Sequence, residues 1–266
     1  MKVAIIASAL SAASWASLAV GQNVDGWQFE ALNGSCSIGL PAGSDGTVLK
    51  LSRSPGNDFA TLSITGPGAE RFSRRALTEV VLHLDPGGDV TAKADISPGF
   101  LSPTILSIRS EARDFPARVL AARAVRVRQG KQVKFELDLP DASAAIAQMR
   151  ECERVGLQAA GIDAAHWQSL RAGPVPVGDL VNLVKVKDYP KEAVRAGASG
   201  LVMVRLTVAA SGRPERCDYV VRSGHDSLDR VTCKIFLERA RFRPAVGPDG
   251  KAVAAPFVTK ISWRTG

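Results

Sequence analysis

With 266 residues, 45% of them apolar and 23% charged, the chain is long enough for two domains and apolar enough to bury real cores. That balance excludes a disordered tail, a collagen-like fibre and a scaffold held by disulfides alone. The net charge of +8 is uneven: residues 176–266 hold 16 Lys and Arg against 9 Asp and Glu, so the basicity belongs to the last third.

Residues 1–21 carry one cation, Lys2, then the largely apolar run Val3–Val20, with the small residues Ala19-Val20-Gly21 before Gln22. This is the pattern of a cleaved signal peptide, and it predicts a mature chain in the periplasm. A retained inner-membrane anchor is the alternative, since Val3–Val20 approaches the minimum spanning length. Its four serines and seven alanines weaken that option. Export also removes nucleic acid, the partner that a basic chain would otherwise suggest.

Four cysteines in an exported chain are an even set, and two bridges are expected. Three pairings are possible. Cys36–Cys152 and Cys217–Cys233 are the preferred pair, because each bridge then stays within one block of the chain. No Cys-x-x-Cys occurs and no histidine lies at ligand spacing from a cysteine, so no metal site is expected.

From Gln22 to Pro140 the chain reads as short strands between turns. Apolar or β-branched runs fall at Trp27–Leu32, Cys36–Leu40, Thr47–Leu51, Phe59–Thr65 and Val80–Leu84. Others follow at Val90–Ile96, Thr104–Ile108, Val119–Val127 and Val133–Leu139. Gly, Pro and Asp clusters such as Pro41–Gly46, Ser54–Asp58 and Asp85–Asp89 separate them. A short helix or turn is expected over Phe72–Glu79. The regular spacing predicts an antiparallel sandwich or barrel. The period then changes: Asp141 is a candidate N-cap for a helix over Ala142–Val155, and a second short helix is expected over Asp163–Leu170. Arg171–Gly178, with Pro174 and Pro176, reads as a short stiff linker. The predicted layout is therefore a signal peptide, 1–21; a mainly-β domain with a following helix, 22–170; a linker, 171–178; and a small α+β domain, 179–266.

In that last block, Tyr189-Pro190 opens a short helix ending near Arg195. The strand Leu201–Val208 follows, and a turn at Ala209–Gly212 leads to a returning strand, Glu215–Arg222. Ser227–Arg241 reads as a helix stopped by Pro244, and Val253–Trp263 as the closing strand. Tyr189-Pro190, Ala193, Gly197, Gly200, the strand Val202–Val208 and Gly212 form one half of a recognisable series. Ser223-Gly224, Leu228-Asp229, Phe242-Arg243-Pro244-Ala245, Gly250-Lys251 and Pro256-Phe257 complete it. In order and spacing this block, about 188–263, resembles the C-terminal domain of the TonB family.

The resemblance implies a three-stranded antiparallel sheet that takes up an extended segment of an outer-membrane transporter, or of another envelope protein, by strand addition. On that reading Tyr189, Pro190, Val258, Lys260 and Ser262 are the candidate partner-binding residues. A homodimer through the same sheet edge is a further option. Seven cations, Arg205, Arg213, Arg216, Arg222, Arg241, Arg243 and Lys260, are candidates for a face attractive to acidic partners. An energy transducer of the family keeps a polar membrane helix and a Pro-rich spacer. Val3–Val20 has no histidine, and a folded β domain stands where the spacer would be. The alternative is therefore a non-energised periplasmic adaptor whose N-terminal β domain recognises the ligand. No enzyme, and no cofactor, is expected: nucleophile-elbow, zincin, P-loop and dinucleotide motifs are all missing. Ser223, His225 and Asp226 have the composition of a triad, but three neighbours on one turn cap a helix more readily than they converge on a substrate.

Overall fold

The computed structural model describes residues 22–32, 34–72, 78–97 and 103–264. The segments expected as a signal peptide and as most of the Phe72–Glu79 turn lie outside them. From the N-terminus come β1 (Gln22–Val24), β2 (Trp27–Leu32), β3 (Ser35–Pro41), β4 (Val48–Arg53) and β5 (Ala60–Thr65). A short helix, α1 (Pro67–Glu70), precedes β6 (Thr78–Asp85), β7 (Gly88–Ser97) and β8 (Ile105–Ser110). Helix α2 (Phe115–Ala121) leads into β9 (Ala124–Gln129) and β10 (Gln132–Asp138), then α3 (Ser143–Ala159) and α4 (Ala164–Ser169).

The ten strands form one antiparallel sheet in the order β1-β2-β3-β4-β5-β8-β7-β6-β9-β10. Alternation dictates its inner face. Leu49 and Leu51, Leu62 and Ile64, Leu82 and Leu84, Leu106 and Ile108, and Val125 and Val127 all point to one side and are buried. These side chains belong to a single apolar cluster running from Trp27 on β2 to Phe135 on β10, so the sheet curls over its own face. Trp27 Nε1 donates to Asp141 O at 3.2 Å, tying the start of the sheet to the segment after β10. Helix α3 closes the cluster with Ala145, Met149 and Cys152, and the Cys36–Cys152 disulfide fastens it to β3 across a Cα separation of 6.0 Å.

Two local expectations are corrected here. Val119–Val127 is not one strand, because Val119 and Leu120 lie in α2 and the strand resumes at Ala124. Pro116 in the first turn presets a helical φ, and Phe115, Val119 and Leu120 form a helical apolar edge. Helix α3 starts a residue later than expected and runs further, to Ala159, with Ala142 at the cap. Asp141 still serves the first turn, accepting from Ser143 N–H at 3.3 Å and from Ser143 Oγ at 3.0 Å.

The rest of the chain forms β11 (Val175–Pro176), two 3-10 turns (Leu180–Leu183 and Val186–Asp188), α5 (Lys191–Arg195), β12 (Gly200–Val208) and β13 (Pro214–Val221). After α6 (Asp226–Arg239) come β14 (Phe242–Arg243), β15 (Ala245–Val246), β16 (Ala252–Val253) and β17 (Ala255–Trp263). Strands β13, β12 and β17 make a three-stranded antiparallel sheet with β12 at its centre. The closing strand was expected to be continuous from Val253. Instead, Ala254 breaks it, and Ala252–Val253 pair with Ala245–Val246.

Val202, Val204, Leu206 and Val208 turn one sheet face toward Leu228, Ile235 and Phe236 of α6. Phe242 and Phe257 close that core, their ring centroids 4.9 Å apart. The Cys217–Cys233 disulfide ties β13 to α6 across a Cα separation of 5.7 Å. Gly212, with φ 79°, is required twice over: the turn needs positive φ, and a Cβ there would stand 2.1 Å from Phe242 O.

The segment expected as a linker is bonded along its length. Arg171 N–H donates to Val246 O at 2.8 Å, β11 pairs with β14, and Val177 N–H donates to Arg241 O at 2.7 Å.

Candidate functional site

The candidate site is the outer edge of β17. The register Arg205↔Val258 on β12 is followed without interruption from Gly200↔Trp263 to Val208↔Ala255. The backbone N–H and C=O of Val258 point away from β12, because both find partners on the far side. By the two-residue period of a strand, those of Lys260 and Ser262 point the same way. The opposite edge, β13, is less receptive. It shifts register against β12 at Met203/Val204 and at Thr207/Val208, and it carries Glu215, Arg216 and Asp218.

Side chains on the two faces of β17 have different surroundings. Phe257, Ile261 and Trp263 belong to the α6 core. Val258 belongs to a second layer, with Met203 of β12, Ala245 and Ala255, packed on Leu157, Ala160, Ile162, Trp167 and Leu170 from the end of α3 and from α4. The small sheet is therefore covered on both faces, by α6 on one and by the α3–α4 segment on the other.

Tyr189 and Pro190 stand apart from Val258. Tyr189 OH donates to Ala198 O, and its ring meets Trp263 edge-on with centroids 5.1 Å apart. Trp263 Nε1 in turn donates to Thr232 Oγ1 at 2.9 Å on α6. Pro190 occupies the N-cap position of α5. These residues brace the C-terminal end of the strand on its α6 side. Lys260 and Ser262 line an open cleft with Ser199, Gly200, Leu201 and Arg264, and Lys260 Nζ reaches Ser35 Oγ at 3.1 Å.

Most of the seven candidate cations have local partners. Arg205 Nη1 donates to Ala160 O at 2.9 Å, and its Nη2 donates to Asp218 at 2.8 Å. Arg216 also donates to Asp218, Arg222 lies over the Tyr219 ring, and Arg243 pairs with Glu111. Such exposed pairings are worth little individually and offset only part of the segment's net positive charge.

The histidines have local roles. His83 Nδ1 lies 2.7 Å from Asp89 Oδ1, a contact that holds the Asp89 carboxyl below its ordinary range. His225 caps α6, with Ser223 Oγ bonded to its backbone at both N and O. Ser223 also donates to Asp229, which is 1% exposed. The Ser223-His225-Asp226 cluster thus forms the turn that enters α6, with Ser223 bonded to Asp229 and Asp226 paired with Arg222. Among the described residues, no group of three or more His, Cys, Asp or Glu is placed to hold a metal ion.

Sequence reasoning placed the turn Ser54–Asp58 but missed what it touches, the Asp58–Arg113 pair and the apolar layer under Val258. Arg113 Nε lies 2.7 Å from Asp58 Oδ1, and Gly173 N–H donates to Asp58 Oδ2 at 2.5 Å. Only the Ser-Pro-Gly-Asn-Asp punctuation of that turn was visible, and it marks a loop without saying what the loop touches.

An α6-backed, three-stranded antiparallel sheet, with an edge strand in unbroken register, defines a small α+β domain. Residues 185–265 match the family model described as Gram-negative bacterial TonB protein C-terminal, and this segment is a TonB-family C-terminal domain. The family is associated with the Gram-negative envelope and its transport, and the domain is not a catalytic one. No curated protein matches the chain. No helix among the described residues is long and apolar enough to cross a membrane.

Proposed function

We propose that this is an exported envelope protein whose C-terminal domain docks an extended segment of an outer-membrane transporter, or of another envelope protein, by strand addition at β17. The observation that carries this reading is that the outward N–H and C=O of Val258, on an edge in continuous register with β12, are available for strand-like pairing and are met in this structure by Gly56 O and the Asn57 amide. An added strand gains affinity from such groups through backbone hydrogen bonds, and alternate side-chain positions supply selectivity. Lys260 and Ser262 extend the same edge toward an open cleft, while Tyr189 and Pro190 hold the end of β17 in place.

The same proposal includes a periplasmic location after removal of residues 1–21, and two folding units, 22–170 and 179–266. Each disulfide falls within one of those units, which supports the division. N-terminal mapping of the secreted protein should give Gln22, and an intact Met1 would favour the anchored alternative. Binding is tested by titrating transporter-derived extended peptides into the whole protein. Lys260→Pro removes an outward donor and should weaken binding at least tenfold, since proline contributes no N–H to a ladder. Equal affinity in that variant would count against strand addition at β17. Sedimentation separates a homodimer through the same edge from peptide docking.

A second reading has its own support. The apolar layer between the small sheet and the α3–α4 segment makes the C-terminal domain continuous with the β domain. In an adaptor without energy coupling, that continuity would let the N-terminal sheet carry recognition and the C-terminal domain carry attachment.

A further inference from the structure

The outer edge of β17 already has an occupant. The turn joining β4 to β5 lies along it. Val258 N–H donates to Gly56 O at 3.0 Å, and Asn57 Nδ2 donates to Val258 O at 3.2 Å. Those two bonds reproduce the donor and acceptor exchange that an added strand makes with one residue of an edge.

The fit is close. A Cβ at Gly56 would stand 2.6 Å from Val258 Cγ2 and 2.8 Å from Ile162 Cδ1, and φ there is 81°. Asn57 Oδ1 accepts Phe59 N–H at 3.1 Å, which fixes the side-chain amide toward the strand. Phe59 then meets Phe257 edge-on, with centroids 6.3 Å apart. Asp58, 2% exposed, anchors the turn from behind through Arg113 and Gly173.

We propose that this turn is an internal competitor for the docking edge, so that an external segment binds only by displacing Gly56 and Asn57 from Val258. The inference rests on the reading of β17 as the docking strand. It also says what the incoming segment must offer: a carbonyl in place of Gly56 O, a donor in place of the Asn57 amide, and a small residue where Gly56 passes Val258 and Ile162. A competent state that is only partly populated lowers apparent affinity by that fraction, and destabilising the turn restores it.

The test uses the full-length secreted protein and a synthetic extended peptide of alternating Val, Thr and Glu with a central Gly. Asn57→Ala removes one of the two bonds, and Gly56→Ala forces the turn off the strand. Both should bind the peptide about tenfold more tightly than the parent, the change expected for losing one competing hydrogen bond. Exchange of the Val258 amide hydrogen supplies a readout that needs no ligand. It should be slow in the parent and accelerated in both variants, while amides within the β12–β17 ladder keep their protection and report intact folding.

Equal affinity of the parent and both variants would overturn the competitor proposal and leave β17 as a docking edge. So would a Val258 amide that exchanges no faster in the variants. A Val258 amide freed in both variants, with no peptide bound by any protein, would overturn the docking reading itself and the competitor proposal with it.

Discussion

Asp58 shows how much one side chain can settle. Its carboxylate faces Arg113 Nε at 2.7 Å and accepts the Gly173 N–H, and Arg113 also donates to Trp167 O at 3.0 Å and to Leu170 O. One anion thus organises the turn after β4, the segment before α2 and the chain leaving α4. Removing one partner of a buried pair leaves the other charge uncompensated, so Asp58→Ala should cost about 3 kcal/mol. The measurement is the urea midpoint, which should fall with an unchanged slope. Asp188 gives the molecule an acid-sensitive contact. A hydrogen bond from Arg239 is the main cause lowering its pKa from 3.8 to about 2. Because the folded value is depressed, the stabilisation is fully present above pH 4 and is lost as pH falls toward 2. Arg239 is about one-third exposed, so solvent screening limits the effect to about 1 kcal/mol. Unfolding measured from pH 5 to pH 2 should show this loss, and Arg239→Leu should flatten it.

At the scale of elements, the small sheet depends on its covalent tie to α6. Cys217 and Cys233 are 16 positions apart, and closing a loop of that size stabilises by about 3 kcal/mol in the chain-entropy account. The double variant Cys217→Ser/Cys233→Ser should lose about that much in thermal or urea unfolding. A loss below about 1 kcal/mol would show that the α6 core holds without the bridge. Most elements were legible in the sequence because alternation and turn residues act locally. β2 and β10 read almost to the residue, and Val202, Val204, Leu206 and Val208 were visible as one face. Val119–Val127 was misread because a short helix rich in Val, Leu and Ala has no period that separates it from a strand, and the deciding residue, Pro116, lies outside the run. The candidate site was only half legible. The strand itself was legible from its alternation, though read as starting at Val253 rather than Ala255. Its cover was not, since Asn57 and Val258 are 201 positions apart and nothing near either residue refers to the other.

For the whole molecule, the decisive feature is the apolar layer of Met203, Val258, Ala245 and Ala255 against Ile162, Trp167 and Leu170. It makes the two halves neighbours through packing as well as through the chain. Limited proteolysis should cut first at the exposed Val177–Gly178 step, and both fragments should stay folded and elute together until denatured. Fragments that separate at once under native conditions would show that the layer is too weak to hold the halves. The surplus of cations in residues 176–266 has a kinetic consequence as well. Acidic peptides should associate faster at low salt, with the gain fading near physiological ionic strength, when measured by stopped flow.

The unbroken register of β17 on β12 also has a mechanical meaning. Nine residue pairs, from Gly200↔Trp263 to Val208↔Ala255, run along one axis. Inter-strand hydrogen bonds lie perpendicular to that axis, so tension along β17 loads the whole row together, in shear. Tension across the sheet would instead open the row one bond at a time. A ligand strand aligned with β17 and pulled lengthwise would place its load on the shear-resistant joint. The turn at Gly56 and Asn57 grips a single residue of the same strand, so a lengthwise pull meets only two bonds there. Under load, the internal occupant would let go long before the ladder beneath it.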